Sequence, residues 1–184
     1  MKLMGSGETA AEVEFLSADA DAGEYIASYR NADACMRACR ACPNFGKTWI
    51  CPPFDYDPLD RLRGFGRVTF YGAVIRPVCR DIAVERSLEV MLPARMELER
   101  QLLEARDCRG GVVLAFGGRC SHCQQGCTRP AGLPCRHPDK AAPSLESYGF
   151  DVVATASRYL GIDLLWSGDG RIAERLSLVG AHFY

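Results

Sequence analysis

The hydrophobic pattern of the chain changes its period near the middle. Residues 67–78 are rich in β-branched and aromatic residues, which predicts a strand. Residues 81–109 carry large apolar residues at helical spacing, which predicts a long helix with a broad apolar face. That face comprises Leu88, Met91, Leu92, Met96, Leu98, Leu102 and Leu103. Pro93 should start or kink this helix because proline lacks a backbone N–H, and Gly110 and Gly111 should end it.

The sequence before this region shows a strand pattern followed by a helix pattern. Apolar and acidic residues alternate over 12–16, which predicts a short strand. A helix should follow, with Asp19 or Asp21 as its N-cap, and it should end at Pro43. Residues 1–10 are expected to be a flexible lead-in, either disordered or extended.

The last third of the chain again mixes both kinds of element. The continuous apolar run 112–116 predicts a strand buried on both faces. Residues 144–160 predict a helix that Gly161 closes, and residues 162–166 and 176–179 predict two closing strands. We therefore expect a mixed α/β (α+β) fold, with one sheet of about 4–5 strands and helices packed on it.

Composition and charge narrow the class of protein. Residues 1–184 are long enough for a single domain with its own core. The net charge of −1 gives no argument for binding nucleic acid or an anionic membrane surface. We expect neither a secretory signal nor a membrane span, because the first twenty residues hold three glutamates and nothing approaches ~18 consecutive apolar residues. In a cytoplasmic protein, ten cysteines indicate metal binding or catalysis more than disulfides.

Four cysteines lie close together in residues 119–140, with the spacing C-x2-C-x3-C-x7-C. This second cysteine group consists of Cys120, Cys123, Cys127 and Cys135. Its segment has Leu133 as its only large aliphatic residue, so a bound metal would have to supply the folding energy that apolar burial does not. A C-x2-C pair places two sulfurs on one turn, as metal sites require. Because the third cysteine follows after only three residues, the spacing favours an iron–sulfur cluster over a zinc ribbon.

Four further cysteines precede the middle strand. This first cysteine group consists of Cys35, Cys39, Cys42 and Cys51. On a helix, the spacing of the first three members places them on one face, and Pro52 and Pro53 fix the position of the fourth. We expect a second metal site here, although Cys35 could also be a small buried residue of the helix. The domain should therefore carry two cysteine-rich metal-binding loops.

Nearby charged residues fit both sites. The first cysteine segment contains three cations and no acid, and residues 119–140 contain four cations and one acid. Such cations would stabilise four thiolates around Zn²⁺ or a [4Fe–4S] cluster, although they could equally form a solvated surface. His122 and His137 are expected at the surface, since four cysteines are available as ligands. Cys79 and Cys108 are expected to be structural thiols. No catalytic constellation is recognisable, so the sequence leaves open whether the protein is an enzyme.

Three stretches resemble one protein family. They are CPNFGKTWICPPFDYDPL, the second cysteine segment with the helix after it, and the terminal LSLVGAHF. They are similar to the DUF2284 family of predicted metal-binding prokaryotic proteins, and the likeness extends over nearly the whole chain from about residue 12. Seven cysteines match the family pattern, namely Cys39, Cys42, Cys51, Cys120, Cys123, Cys127 and Cys135. The resemblance implies a bound metal, with an iron–sulfur cluster as a candidate, and implies no particular reaction.

Three functions fit these observations. The first is an iron–sulfur protein, with one or two [4Fe–4S] clusters, that passes electrons to a protein partner or reductively activates an enzyme. The second is a zinc-thiolate protein in which the metal is structural and the surface binds a protein partner. The third is an enzyme whose first cluster has an open coordination position, which would arise if Cys35 is not a ligand.

Overall fold

The computed structural model describes residues 1–184 and contains one antiparallel sheet of five strands. The strands are β1 (Lys2–Met4), β2 (Ala11–Asp21), β3 (Arg67–Pro77), β4 (Val112–Leu114) and β5 (Leu176–Phe183), in the order β1-β2-β3-β5-β4. The helices are α1 (Ala22–Tyr29), α2 (Ala32–Ala41), α3 (Ser87–Arg109) and α4 (Val152–Leu160). The predicted mixed α+β class, with one sheet and helices packed on it, is confirmed.

Helices cover both faces of the sheet. On one face, Leu98 of α3 joins Ile75 of β3 in a buried apolar cluster. On the other face, Tyr25 of α1 and Ala156 of α4 join Phe70 of β3 in a second buried cluster. Because successive side chains of a strand point to opposite faces, β3 contributes to both clusters and lies at the centre of the core.

The long β2–β3 pair explains where the first helix starts. The two strands pair along their whole lengths, from Ala11 opposite Pro77 to Asp21 opposite Arg67. The strand in the structure is therefore longer than the alternating pattern at 12–16 predicts. Oδ1 of Asp21 then accepts a hydrogen bond from the backbone N–H of Glu24 at 2.9 Å, so of the two candidate N-caps it is Asp21 that begins α1.

The prediction of a single helix after Asp21 is wrong, because the structure contains two helices, α1 and α2, separated by Arg30 and Asn31. Nε of Arg30 donates to the carbonyl of Tyr148 at 3.0 Å. The backbone N–H of Asn31 donates to the carbonyl of Gly149 at 2.7 Å. The break therefore depends on a segment far along the chain, which no local pattern can reveal.

The long helix in the middle is confirmed, but it begins at Ser87 rather than at Asp81. Pro93 lies inside α3 instead of starting it. Its missing N–H removes one bond of the helical ladder, the bond to the carbonyl of Glu89, while the other turns remain paired. The helix ends at Gly110, whose φ of 73° is a conformation that glycine adopts readily.

The helix predicted for 144–160 is shorter than expected. α4 begins at Val152, after a 3₁₀ turn over Glu146–Tyr148 and Gly149 with a φ of 90°. Gly161 ends α4 in the left-handed conformation, as predicted.

The prediction of a strand over residues 162–166 is wrong, because these residues form no strand. The backbone N–H of Ile162 donates to the carbonyl of Ala156 at 3.1 Å, which continues the end of α4 and buries the Ile162 side chain. The segment then leaves the core, and Trp166 is 80% exposed. The other closing strand is present as β5 and extends to Phe183, four residues beyond its predicted end at Val179.

The outer strands of the sheet are both short. β4 pairs only with β5, although Val113 and Leu114 are buried as predicted. β1 lies within the predicted lead-in and pairs with β2. The second cysteine segment follows β4 closely, so this edge of the sheet positions it. No helix combines the length and apolarity required to cross a lipid bilayer.

Candidate functional site

The first cysteine group lines one cavity of about 450 Å³, the first cavity. Cys35 and Cys39 lie on α2, Cys42 is its C-cap, and Cys51 lies in the irregular segment that follows. The opposite wall contains apolar side chains, among them Phe116. The structure thus brings together all four cysteines that the sequence grouped.

Local hydrogen bonds explain how the chain folds around the first cavity. Oδ1 of Asn31 accepts from the backbone N–H of Ala34 at 3.1 Å and caps α2. The backbone N–H of Cys42 donates to the carbonyl of Cys39 at 3.0 Å and closes the last turn. The backbone N–H of Gly46 then donates to the carbonyl of Pro52 at 2.8 Å, which turns the chain back and brings Cys51 to the cavity.

Burial governs the acidity of the thiols in the first cysteine group. It raises the pKa of Cys39 to about 11, with a further increase from the nearby carboxyl of Glu146. Burial and the same carboxyl also raise the pKa of Cys35. The Cys35 thiol is 3.5 Å from the carbonyl of Phe150, to which it can donate a hydrogen bond. In the absence of a metal these two thiols therefore keep their protons at neutral pH.

The second cysteine group lines another cavity, the second cavity, which has a volume of only about 10 Å³. Burial raises the pKa of the Cys120 thiol, and the other three cysteines of the group raise it further. His122 and His137 also line this cavity and are half-buried, so the expectation that they lie at the surface is wrong. Nε2 of His122 lies 3.1 Å from Oε1 of Glu99 and 3.1 Å from the carbonyl of Lys140.

Polar contacts connect the second cysteine segment to the rest of the protein, and the bound metal that its composition requires stays a prediction. Leu133 is 56% exposed and adds nothing to a core. Oγ1 of Thr128 donates to the carbonyl of Pro134 at 2.8 Å. At the start of the segment, the buried guanidinium of Arg95 donates to the carbonyls of Gly117 and Arg119, each at 2.9 Å. The start of the segment is therefore anchored to α3 through Arg95, and its end through Arg106, which donates to the carbonyl of Asp139.

The two cysteine segments contact each other directly. The guanidinium of Arg129, in the second segment, donates to the carbonyls of Thr48, Cys51 and Pro53 in the first. It also lies over the ring of Trp49, 5.4 Å from the ring centroid, in a cation–π contact. These bonds connect the backbone on both sides of Cys51 to the second cysteine segment.

The two cavities also share a wall. Ile50 is buried and lines both of them. Burial raises the pKa of the Cys51 thiol, and this effect is strengthened by Cys127 and opposed by Arg129. Cysteines from the two groups are therefore close enough to interact electrostatically.

All ten cysteines are free thiols, and Cys79 and Cys108 line neither cavity. No group of three or more histidine, cysteine, aspartate or glutamate side chains has the arrangement of a metal-ion site. The cysteines that share a cavity thus line its wall without converging as ligands of one ion do. The metal-ligand role of the eight cysteines remains a prediction.

Sequence reasoning missed several residues of the site. In the sequence, Arg129 contributes only to local positive charge and Arg95 is not singled out, because the carbonyl partners of both lie far away in the chain. Glu146 was assigned to the start of a helix, yet its carboxyl lies at the first cavity. A buried acid and an arginine with several acceptors leave no signature in a single sequence, because both depend on long-range packing.

Fold and site together define an α+β protein with two cysteine-lined cavities that share a wall. The model of the DUF2284 family, described as a predicted metal-binding protein, matches residues 23–181, and the chain belongs to this family. This confirms the family resemblance seen in the sequence. Comparison with curated proteins and with solved structures gives no match.

Proposed function

We propose that the protein is a cytoplasmic iron–sulfur protein that passes electrons to a protein partner or reductively activates a partner enzyme. The first and second cysteine groups would each hold one [4Fe–4S] cluster. The observation that carries this proposal is the shared wall at Ile50, which places two sets of four cysteines side by side. Two adjacent redox centres would let electrons pass from one centre to the other within the protein.

The cysteine sulfurs that line the two cavities fit an iron–sulfur cluster. Iron–sulfur clusters are bound by cysteine thiolates, and each cavity is lined by four cysteines. A bound cluster would accept and donate single electrons at these positions. The protein's own residues supply the scaffold, since Arg129 fixes the backbone around Cys51 and Arg95 fixes the start of the second segment. Burial disfavours free thiolates, so the positive charge of the metal would offset that cost.

The test is metal analysis of protein purified without oxygen. We expect iron matched by acid-labile sulfide and a broad absorption band at ~400 nm. Cys123→Ser should remove the cluster of the second group, and therefore about half of the iron and sulfide. The matched control is Cys108→Ser, which changes an exposed thiol that lines neither cavity. A colourless protein with stoichiometric zinc and no sulfide would overturn the iron–sulfur proposal.

A zinc-thiolate protein is the second candidate, and the size of the second cavity favours it. A volume of about 10 Å³ admits roughly one water-sized sphere, so a cluster would require this cavity to widen. In this case the metal would be structural, and the surface of the second segment would bind a protein partner. The same metal analysis separates the two candidates.

A further inference from the structure

The carboxyl of Glu146 occupies a wall between two cavities. One is the first cavity, and the other, the third cavity, has a volume of about 530 Å³. Phe116, Gly117, Gly118 and Val152 share this wall with Glu146. Oε2 of Glu146 is buried and has no hydrogen-bond partner in the protein. Leaving one buried carboxyl oxygen without a hydrogen-bond donor is costly, so this oxygen at a cavity wall is suited to accept a bond from a bound molecule.

The first cavity has the properties of a small-molecule site. Its volume of about 450 Å³ lies within the range of pockets that hold organic ligands. Besides the cysteines, the lining includes the apolar side chains of Phe116, Phe150, Val152 and Val153. Most of the lining is therefore apolar, and the Glu146 carboxyl is a polar group set among it.

The charges around the first cavity restrict what could bind. No lysine, arginine or histidine lines it, while Glu146 and Asp151 do. Oδ1 of Asp151 already accepts from the backbone N–H of Ala154 at 2.9 Å, which leaves Glu146 as the acid with an unpaired oxygen. Anionic ligands are disfavoured by this lining, because it supplies two carboxyl groups and no cation to offset the charge of the ligand.

We propose that the first cavity binds a small organic molecule with an apolar body and an N–H or O–H group that donates to the Glu146 carboxyl. The apolar body packs against the Phe116 side of the cavity, and the donor group satisfies Glu146. The donor is either a neutral amide or hydroxyl or a cationic amine, and the test distinguishes them. The site is formed by the side of the cavity around Glu146 and Phe116, and any metal held by the cysteines would occupy part of the same cavity.

The first experiment measures binding of four probes of similar size by ¹⁹F NMR, on protein purified without oxygen. The probes are 4-fluorobenzamide, 4-fluorobenzylamine, 4-fluorotoluene and 4-fluorobenzoate. We expect at least one of the two donor probes to bind about tenfold more tightly than 4-fluorotoluene, and 4-fluorobenzoate not to bind. The amide and the amine report a neutral and a cationic ligand, respectively. Equal binding of 4-fluorotoluene and both donor probes overturns the proposal, as does preferred binding of the benzoate.

Two variants locate the binding at this cavity. Glu146→Met keeps the length of the side chain and removes its acceptor, so the tenfold preference for a donor probe should disappear. Val153→Trp should block all probes, because Val153 lines the cavity and is 47% exposed at its edge. Ser157→Trp is the matched control on α4, since Ser157 is exposed and does not line the cavity. Probe binding that survives Val153→Trp, or a preference that survives Glu146→Met, overturns the proposal.

Metal content measured on the same samples separates this proposal from the iron–sulfur function. Samples with iron and sulfide but without probe binding contradict the ligand site alone. Samples without iron that bind the donor probes contradict the iron–sulfur function alone. Circular dichroism confirms that each variant is folded.

Discussion

Nε1 of Trp49 lies 3.2 Å from Oγ1 of Thr128 and 3.2 Å from the carbonyl oxygen of Leu133, and its N–H donates to both. Trp49 is two residues before Cys51, and Thr128 directly follows Cys127. Thr128 is buried, so the half of this shared hydrogen bond that it accepts is partly protected from water, whereas the half to Leu133 is exposed. Together with Arg129 it makes the two cysteine segments one structural unit.

Replacement of Arg129 by lysine should destabilise this unit. Arg129→Lys keeps the charge, but a single ammonium cannot reproduce the planar set of donors that binds the carbonyls of Thr48, Cys51 and Pro53. We expect a loss of about 1–3 kcal/mol in the free energy of unfolding, measured by urea denaturation. The control is Arg136→Lys, which removes one exposed bond to the Gly126 carbonyl. An equal loss in both variants would show that Arg129 has no special role.

Cys35 is the one proposed metal ligand that is not among the seven cysteines of the family pattern, and its substitution distinguishes two roles. If it binds metal with Cys39, Cys42 and Cys51, Cys35→Ser should lower the iron or zinc content of the first site, as Cys39→Ser does. If its thiol serves only to donate to the carbonyl of Phe150, metal content should stay unchanged. We expect the first result, because Cys35 lines the same cavity as the other three. Elemental analysis of the two variants side by side decides the matter.

Two neighbouring glycines at the end of α3 should respond differently to alanine. A Cβ at Gly111 would overlap the carbonyl oxygen of Phe183, whereas a Cβ at Gly110 would meet nothing within 4 Å. Both glycines have positive φ, and the ψ of −160° at Gly110 gives a conformation that is almost restricted to glycine, so each alanine costs about 1–3 kcal/mol of backbone strain. Gly111→Ala should cost a further 1–3 kcal/mol, roughly, for the overlap with β5. Thermal or urea unfolding of the two variants tests the difference, and equal stabilities would contradict it.

His182 should make the protein less stable below neutral pH. Burial lowers its pKa from the ordinary value of 6.5, and Arg109 and Arg106 lower it further. Nε2 donates to the carbonyl of Gly110 at 2.7 Å, and Nδ1 is buried without a partner, so the folded protein holds the neutral ring. Below about pH 6.5 the unfolded chain binds a proton that the folded protein does not, so stability decreases as the pH falls towards the folded pKa.

The measurement is urea unfolding of wild type and His182→Asn between pH 8 and pH 5, at about one-unit intervals. The variant should be less stable at the highest pH, because it loses the bond to Gly110, and its stability should fall less steeply with acid. Taking the difference between the two curves removes the contributions of groups that both proteins share, including the cysteines. Parallel curves would show that His182 does not titrate on unfolding.

Most of the fold could be predicted from local patterns. β3 and α3 have the strongest periodicity and form close to their predicted positions, and Asp21 begins α1 as a local capping signal predicts. The misplaced elements depend on distant partners. The break after α1 depends on the hydrogen bond from Arg30 to the carbonyl of Tyr148. Residues 162–166 do not form a strand because the backbone N–H of Ile162 donates to a carbonyl of α4 instead of to the sheet.

The candidate site could be predicted only as two separate groups of cysteines. The cysteines that spacing groups together line a common cavity in each case, and their role as metal ligands stays a prediction. It could not show that the cavities adjoin at Ile50, or that Arg129 connects the segments, because those contacts join residues about 80 positions apart. His122 was misjudged for the same reason, since its partner Glu99 belongs to α3.

The hydrogen bonds of Arg129 have a consequence for how the protein would be assembled. Fixing either cysteine segment restricts the other, because one guanidinium holds the backbone of both. If the cysteines bind metal as proposed, metal binding at one site would already order part of the other site, so the second binding event would cost less conformational entropy. Metal uptake would then be cooperative, and protein with only one site filled would be a minor species during maturation.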